Sequence, residues 1–293
     1  MGTPWQRLLR LGLLAFSAAD ALAQSTLEQS ERGITSYAAF QGSHSAQGEV
    51  MKFDPSVGYN FNSLFGMNFG VPIYFVRTAA TATTPSTSNT GLGNAYVDLK
   101  LTYLHPAINF SSTLTGYAPT GSRDNGLSTG RVTFDWNNHL DRSFSRVTPF
   151  LEAGAGNTIL DSTFFTRPFT TLGFTTHITG GSSFNVWKFV SVGASAYSIM
   201  PLGDQKVFSK LVKQGGTAKG SGSHGRVYET NSLTAGTSDI ARDDGFSAWI
   251  DANPSETVDI SCGYTRSIHY DLNVMSFGVG VNLGKVFNKA ARR

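Results

Sequence analysis

The stretch Gly91–Tyr103 alternates along its length. Ala95, Val97, Leu99, Leu101 and Tyr103 fill the odd positions, and Asn94, Tyr96, Asp98, Lys100 and Thr102 the even ones. Side chains on a strand point to opposite faces in turn, so one face here is apolar and the other carries two opposite charges. The pattern recurs. Phe65, Met67, Phe69, Val71, Ile73 and Phe75 stand against Gly66, Asn68, Gly70, Pro72 and Tyr74. Met275, Phe277, Val279, Val281 and Leu283 stand against Ser276, Gly278, Gly280 and Asn282. A soluble sandwich would press such apolar faces against a second sheet. A transmembrane barrel would turn them to lipid and the polar faces to a wet lumen.

Three features favour the barrel. The first is an export signal over residues 1–23. Arg7 and Arg10 precede the apolar core Leu11–Ala19, and Ala21-Leu22-Ala23 is a small-x-small cleavage site that leaves Gln24 first. That core is shorter than the ~20 residues a membrane-spanning helix needs. The second is composition. Charged residues make up 15% of the chain, against roughly 25% in an average soluble protein. Glycine numbers 32, phenylalanine 21 and tyrosine 10, while mean hydropathy is only −0.12, which excludes a bundle of apolar spanning helices.

The third feature is the spacing of the strands. Alternation predicts strands over 34–43, 50–61, 65–76, 91–103, 108–118, 132–140, 147–155, 170–179, 189–200, 246–252, 258–264 and 274–283. Turns are expected at 180–185 and at Asn253-Pro254-Ser255. The expected fold is all-β, an antiparallel transmembrane barrel of about twelve strands, an even number as in single-chain outer-membrane barrels. About ten or about fourteen strands also fit, because 34–43 and 201–244 are weakly patterned. Connections after even strands are short and most of those after odd strands are long. Short periplasmic turns and longer outer loops give that order when both termini are periplasmic. The chain then divides into the signal at 1–23, a periplasmic lead-in at 24–33, the barrel at 34–287 with a long outer loop at 201–244, and a tail at 288–293. Within that loop a short helix is expected near 206–212. Its Lys206, Lys210, Lys213, Lys219 and Arg226 read as a solvated stretch or a lure for anions.

The polar faces carry Asp98, Lys100, Asp135, His139, Glu152, His177 and Asp259. These are the expected pore-lining residues, serving either as a charge filter or as salt bridges that brace the wall. Asp98 and Lys100, two apart on one face, are close enough to pair loosely. Phe65, Met67, Phe69, Val71, Ile73 and Phe75 are the expected lipid-facing set. Catalysis is not indicated: His44 beside Ser43 and Ser45, and His139 near Asp141 and Ser143, are neighbours in sequence without a nucleophile motif. One cysteine, Cys262, permits neither an internal disulfide nor a multi-cysteine metal site. The six histidines are scattered without ligand spacing, and Gly91-x-Gly93 leads into no helix. No metal or cofactor is expected, and the formal net charge of +3 gives no case for nucleic acid.

The last strand resembles the signal read by the barrel-assembly machinery, through Ser276, Gly278, Val281 and Leu283. It departs in ending on Leu283, with Phe287 later. Gly91-Leu92-Gly93-Asn94 with Asp98-Leu99-Lys100-Leu101, then Ala118-Pro119-Thr120-Gly121 with Gly126 and Gly130, then Glu152-Ala153-Gly154, resembles the outer-membrane family labelled "MetA-pathway of phenol degradation". The resemblance covers about a quarter of the chain by short motifs. It implies a barrel transporter related to a functional-amyloid secretion pore. The expected function is passive diffusion of small solutes, hydrophobic or aromatic ones if the resemblance holds, across the bacterial outer membrane. Alternatives are an export pore for a secreted polypeptide, or an outer-membrane lipid hydrolase or a structural or adhesion barrel. Expected partners are outer-membrane lipids, the assembly machinery and the solutes themselves. The sequence carries no signal of oligomeric state.

Overall fold

The computed structural model describes residues 32–80, 85–105, 107–211, 232–255 and 257–284. The expected signal, residues 24–31 of the lead-in, Phe287 and the 288–293 tail lie outside them. In chain order the strands are β1 Gly33–Ser45, β2 Gly48–Asn60, β3 Phe65–Gly70, β4 Ile73–Thr78, β5 Ser88–Leu92, β6 Tyr96–Tyr103, β7 Asn109–Tyr117, β8 Thr133–Asp141 and β9 Val147–Gly156. They continue with β10 Phe169–Leu172, β11 Thr175–Trp187, β12 Val190–Pro201, β13 Gln205–Ser209, β14 Leu233–Gly236, β15 Asp243–Ser255, β16 Val258–Ser267 and β17 Leu272–Asn282.

Two pairs of these strands are halves of one. β2 pairs with both β3 and β4, β3 pairs with β6, and β4 with β5. The breaks fall side by side, at Val71-Pro72 and at Gly93-Asn94-Ala95. Pro72 has no N–H for the ladder, and its carbonyl instead accepts from Gly93 N at 2.7 Å. Counting each pair as one, a closed antiparallel barrel of twelve strands runs β1, β2, β3/β4, β5/β6, β7, β8, β9, β11, β12, β15, β16, β17 and back to β1. The closing ladder runs from Tyr37↔Asn282 to His44↔Met275. β10, β13 and β14 form a separate three-stranded sheet. The reversals between β2 and β3, β6 and β7, β8 and β9, β11 and β12, and β15 and β16 share the end that holds both described termini. Those between β1 and β2, β4 and β5, β7 and β8, β9 and β11, β12 and β15, and β16 and β17 share the other, here called the loop end.

Alternation becomes burial. Asn68 is 2% exposed and Asp98 6%, while their neighbours Met67 and Leu99 are each 39% exposed. Phe65, Phe69 and Phe75 are exposed on the outer wall, and Val71 and Ile73, beside the break, are half-buried. Trp136, Ile250, Met275 and Phe277 extend this apolar outer surface. A surface of that kind does not stay in water.

Four local expectations are corrected. The eighth barrel strand is β11 at Thr175–Trp187, so Gly180–Asn185 lies inside a strand and the turn comes at 188–189. Gly180-Gly181-Ser182-Ser183 has turn composition, but the glycine here makes room. A Cβ on Gly181 would stand 2.7 Å from the Phe150 ring and 2.5 Å from the Ala194 carbonyl. Phe169–Leu172, at the start of the expected strand, pairs instead with β13. The expected helix near 206–212 begins as β13, where Val207 and Phe208, on opposite faces, are both buried; residue 212 lies outside the described residues. Asn253-Pro254-Ser255 ends β15 in a register shift, and Ser255 faces Val258 across the reversal into β16.

The register of closure is testable. In a Cys262→Ser background, Ala38→Cys with Val281→Cys, facing partners on β1 and β17, is expected to form a disulfide on mild oxidation. Ala38→Cys with Phe277→Cys is not. Cross-linking of the shifted pair alone would contradict the closure described.

Candidate functional site: an acidic lumen narrowed by an infolded loop

After Gly156 the chain does not continue outward. Residues 157–168 turn into the barrel and reach its wall on several sides. Thr166 N donates to Ser43 Oγ on β1 at 2.7 Å, and Thr265 Oγ1 on β16 donates to the Phe164 carbonyl at 3.0 Å. Tyr74 on β4 donates its hydroxyl to Asp161 at 3.0 Å. Arg167 donates to Asp243, at the head of β15, at 2.8 Å.

Two polar knots hold this loop. In the first, Asp161 receives Tyr74 and the Arg167 N–H at 2.8 Å, with Lys52 and Lys210 ammonium groups each at 3.8 Å. Burial works against its charge, but Lys210, Lys52, the Arg167 N–H and the Tyr74 hydroxyl outweigh it and hold the carboxyl below its ordinary range. In the second, Asp243, fully buried, accepts from Arg167, from Tyr197 at 3.0 Å and from Ser267 at 2.5 Å. The guanidinium also lies 4.4 Å over the Phe165 ring. Around the knots is an apolar core at the loop end, built from Val50, Val76, Leu272 and Val274 of the wall and from Phe165, Phe169, Val207, Leu211 and Leu127 of the loops. Gly126 lets the 118–132 loop join it. Its φ is +67°, and a Cβ there would stand 2.0 Å from the Ser209 carbonyl.

Beneath the loop lies a cavity of about 240 Å³. One side is acidic. Asn68, Asp98, Thr115 and Asp135 stand in one row across β3, β6, β7 and β8. Asp98 accepts from Thr115 at 2.8 Å and from Asn68 at 3.3 Å. Asp135 has His177 Nδ1 at 3.6 Å, and His177 Nε2 lies 3.3 Å from Asn137. Glu152 holds His139 Nδ1 at 3.0 Å, whose Nε2 is 3.4 Å from Asp141. The other side is aromatic. Phe164 from the loop stacks on Trp249 of β15 at 4.8 Å between ring centres, and Phe150 of β9 stands 6.3 Å from Trp249. A Cβ on Gly193 would meet the indole at 2.3 Å, so the ring lies flat against the wall.

The residues named from sequence are thus brought to the inner face but not to one point. Asp98, Asp135, Glu152 and His177 line the cavity. His139 stands beside Glu152, one step away. Asp259 is elsewhere, accepting from Tyr37 at 2.6 Å. Lys100 makes no ion pair within 4 Å among the described residues; its charge acts on Asp98 only at longer range, and the direct bonds to Asp98 come from Thr115 and Asn68. Lys210, read as part of a solvated stretch, is 6% exposed, with Nζ 2.9 Å from the Arg167 carbonyl; Lys213, Lys219 and Arg226 lie outside the described residues. His44 pairs with Glu49 on the surface, Ser43 Oγ accepts from Thr166 N, and Ser143 bonds Thr148. The sequence reading missed Asp161, Arg167, Phe164 and Trp249. All four match ordinary strand or loop residues until the loop's path is known.

No protein-family model matches the chain, and no curated protein matches it. The fold is similar to solved outer-membrane barrels. The COG4313 outer membrane channel from Pseudomonas putida F1 aligns with a TM-score of 0.56 at 10% identity, over 86% of this chain and 96% of that one. The KdgM porin in complex with disordered oligogalacturonate aligns at 0.48 and 8% identity, over 84% and 98%. At these identities the likeness speaks to fold alone. It is a closed antiparallel β-barrel fold.

Arg167→Met leaves the buried Asp243 without its cation, a change that costs on the order of 3–5 kcal/mol where a buried pair is broken. The barrel is expected to fold, keep its heat-modifiable gel mobility and lose the docked loop. Limited proteolysis would then cut within 157–168, where the unaltered protein resists. Equal resistance would contradict the role given to this pair.

Proposed function

We propose that the chain is a passive channel of the bacterial outer membrane for small solutes. The observation that carries this is the cavity inside a closed barrel, polar on its inner wall and apolar on its outer wall. In this reading Asp98, Lys100, Asp135, His139, Glu152, His177 and Asp259 line the pore. Phe65, Met67, Phe69, Val71, Ile73 and Phe75 face lipid, and the last strand is what the assembly machinery reads. Eight strands enclose just enough room for side chains and 16–18 leave an aqueous channel; twelve lie between. A bore of that size is narrowed decisively by one infolded loop, so passage is limited to small molecules. The flat Phe150, Phe164 and Trp249 surface supports solutes with aromatic or apolar parts. The same loop takes up the room that an export pore for a polypeptide needs. Neither His44 nor His139 is accompanied by a nucleophile motif, so a hydrolase is the less supported reading.

Planar bilayers test the proposal. The purified mature protein is expected to give small, ohmic conductance steps, and deletion of residues 160–166 is expected to enlarge them. Absence of current both with and without the loop would refute the channel.

A further inference from the structure

The cavity has a chemical bias of its own, and its bearing on transport rests on the channel reading. Asp98, Asp135 and Glu152 line its acidic side, and among the described residues none has a lysine or arginine within 4 Å. The cations that do line the cavity are engaged at the loop: Lys52 and Lys210 on Asp161, Arg167 on Asp243. Asp98 and Asp135 face each other across a single strand, through Thr115. Wall bracing alone does not call for two carboxylates at that spacing, because like charges repel in a confined space.

Two further observations point to a missing partner. Trp249 lines the same cavity and is 4% exposed, and its indole N–H, buried beside Gly193, has no hydrogen-bond partner. Asp135 is 2% exposed, and its Oδ1, 3.6 Å from His177 Nδ1, has no hydrogen bond either. Leaving buried polar groups unmade is costly, and such groups are rare. The cavity therefore offers one carboxylate, Asp135, short of a donor, an N–H without an acceptor, and an apolar aromatic surface. Its volume is far above the ~10–15 Å³ that one water requires.

We infer that this cavity is a binding site for small organic ammonium solutes that carry one flat ring and a hydrogen-bond acceptor, and that the channel prefers cations. The ammonium sits against Asp135 and Glu152, with Asp98 behind them. The ring lies along Phe150 and Phe164. The acceptor meets the Trp249 N–H. Selection arises from charge first, then from shape.

Tyramine, 4-hydroxyphenylacetate and ethylammonium make a matched set of probes: right charge and ring, opposite charge with the same ring, and right charge without the ring. In bilayers at pH 8 under a KCl gradient, the reversal potential is expected to favour K⁺ over Cl⁻. Tyramine is expected to block the current saturably, about tenfold more tightly than ethylammonium, from burial of its ring, and 4-hydroxyphenylacetate is expected not to block. Asp135→Asn with Glu152→Gln should move the reversal potential toward zero. Trp249→Phe keeps the ring, and should weaken tyramine severalfold and ethylammonium little. Anion preference, equal block by the two aromatic probes, or unchanged selectivity in the double variant would overturn the inference. Calorimetric titration of tyramine into the detergent-solubilised protein separates the two claims. Binding without any current would remove the channel and keep the site, whereas current without binding would do the reverse.

Discussion

Everything in this molecule depends on the ladder between β1 and β17. The hydrocarbon core of a membrane offers no water to an unpaired backbone group, so a sheet placed there must close. The ladder joins the first and last barrel strands and leaves no open edge. Closure also sets the bore. With twelve strands the interior is too wide for wall side chains to fill and too narrow to stay open once a loop enters.

The loop at 157–168 uses that intermediate width. A buried charge is costly unless it is paired and hydrogen-bonded, and the loop satisfies this at both of its knots. Asp161 gathers Tyr74, the Arg167 N–H, Lys52 and Lys210, and Arg167 passes on to Asp243. The knots join wall strands distant in sequence, which fixes the depth of the loop. The apolar core around Phe165, Phe169 and Val207 excludes water from the loop end. The rest of the lumen is the cavity below, where the charges of the wall are opposed mainly by histidines.

The barrel was legible because the constraint that makes it is local. Each strand must alternate, and Val97-Asp98-Leu99-Lys100 does so whatever its neighbours are. The even count and the sorting of loop lengths followed from the same alternation. β11 was misread because Gly180-Gly181-Ser182-Ser183 carries no apolar residue to mark a face. Gly181 is explained by Phe150 on the next strand, which periodicity does not reveal. β13 was misread because Val207 and Phe208 are both buried, so no alternation remains. The site was half legible. Asp98, Asp135, Glu152 and His177 could be picked out because a charge on an alternating strand must face inward. Phe164 and Trp249, far apart in sequence, meet only because the loop folds back onto the wall. Lys210 was masked by its polar surroundings.

The central claim is a twelve-stranded barrel whose bore is set by the infolded loop rather than by the wall. Polymer exclusion measures that bore directly, by recording single-channel conductance while poly(ethylene glycol) of increasing size is added from the loop side. A bore set by the loop predicts that only the smallest polymers enter and lower the current, the larger ones being shut out. Entry of polymers as large as those that pass general diffusion porins would show an open wall-lined pore and contradict it.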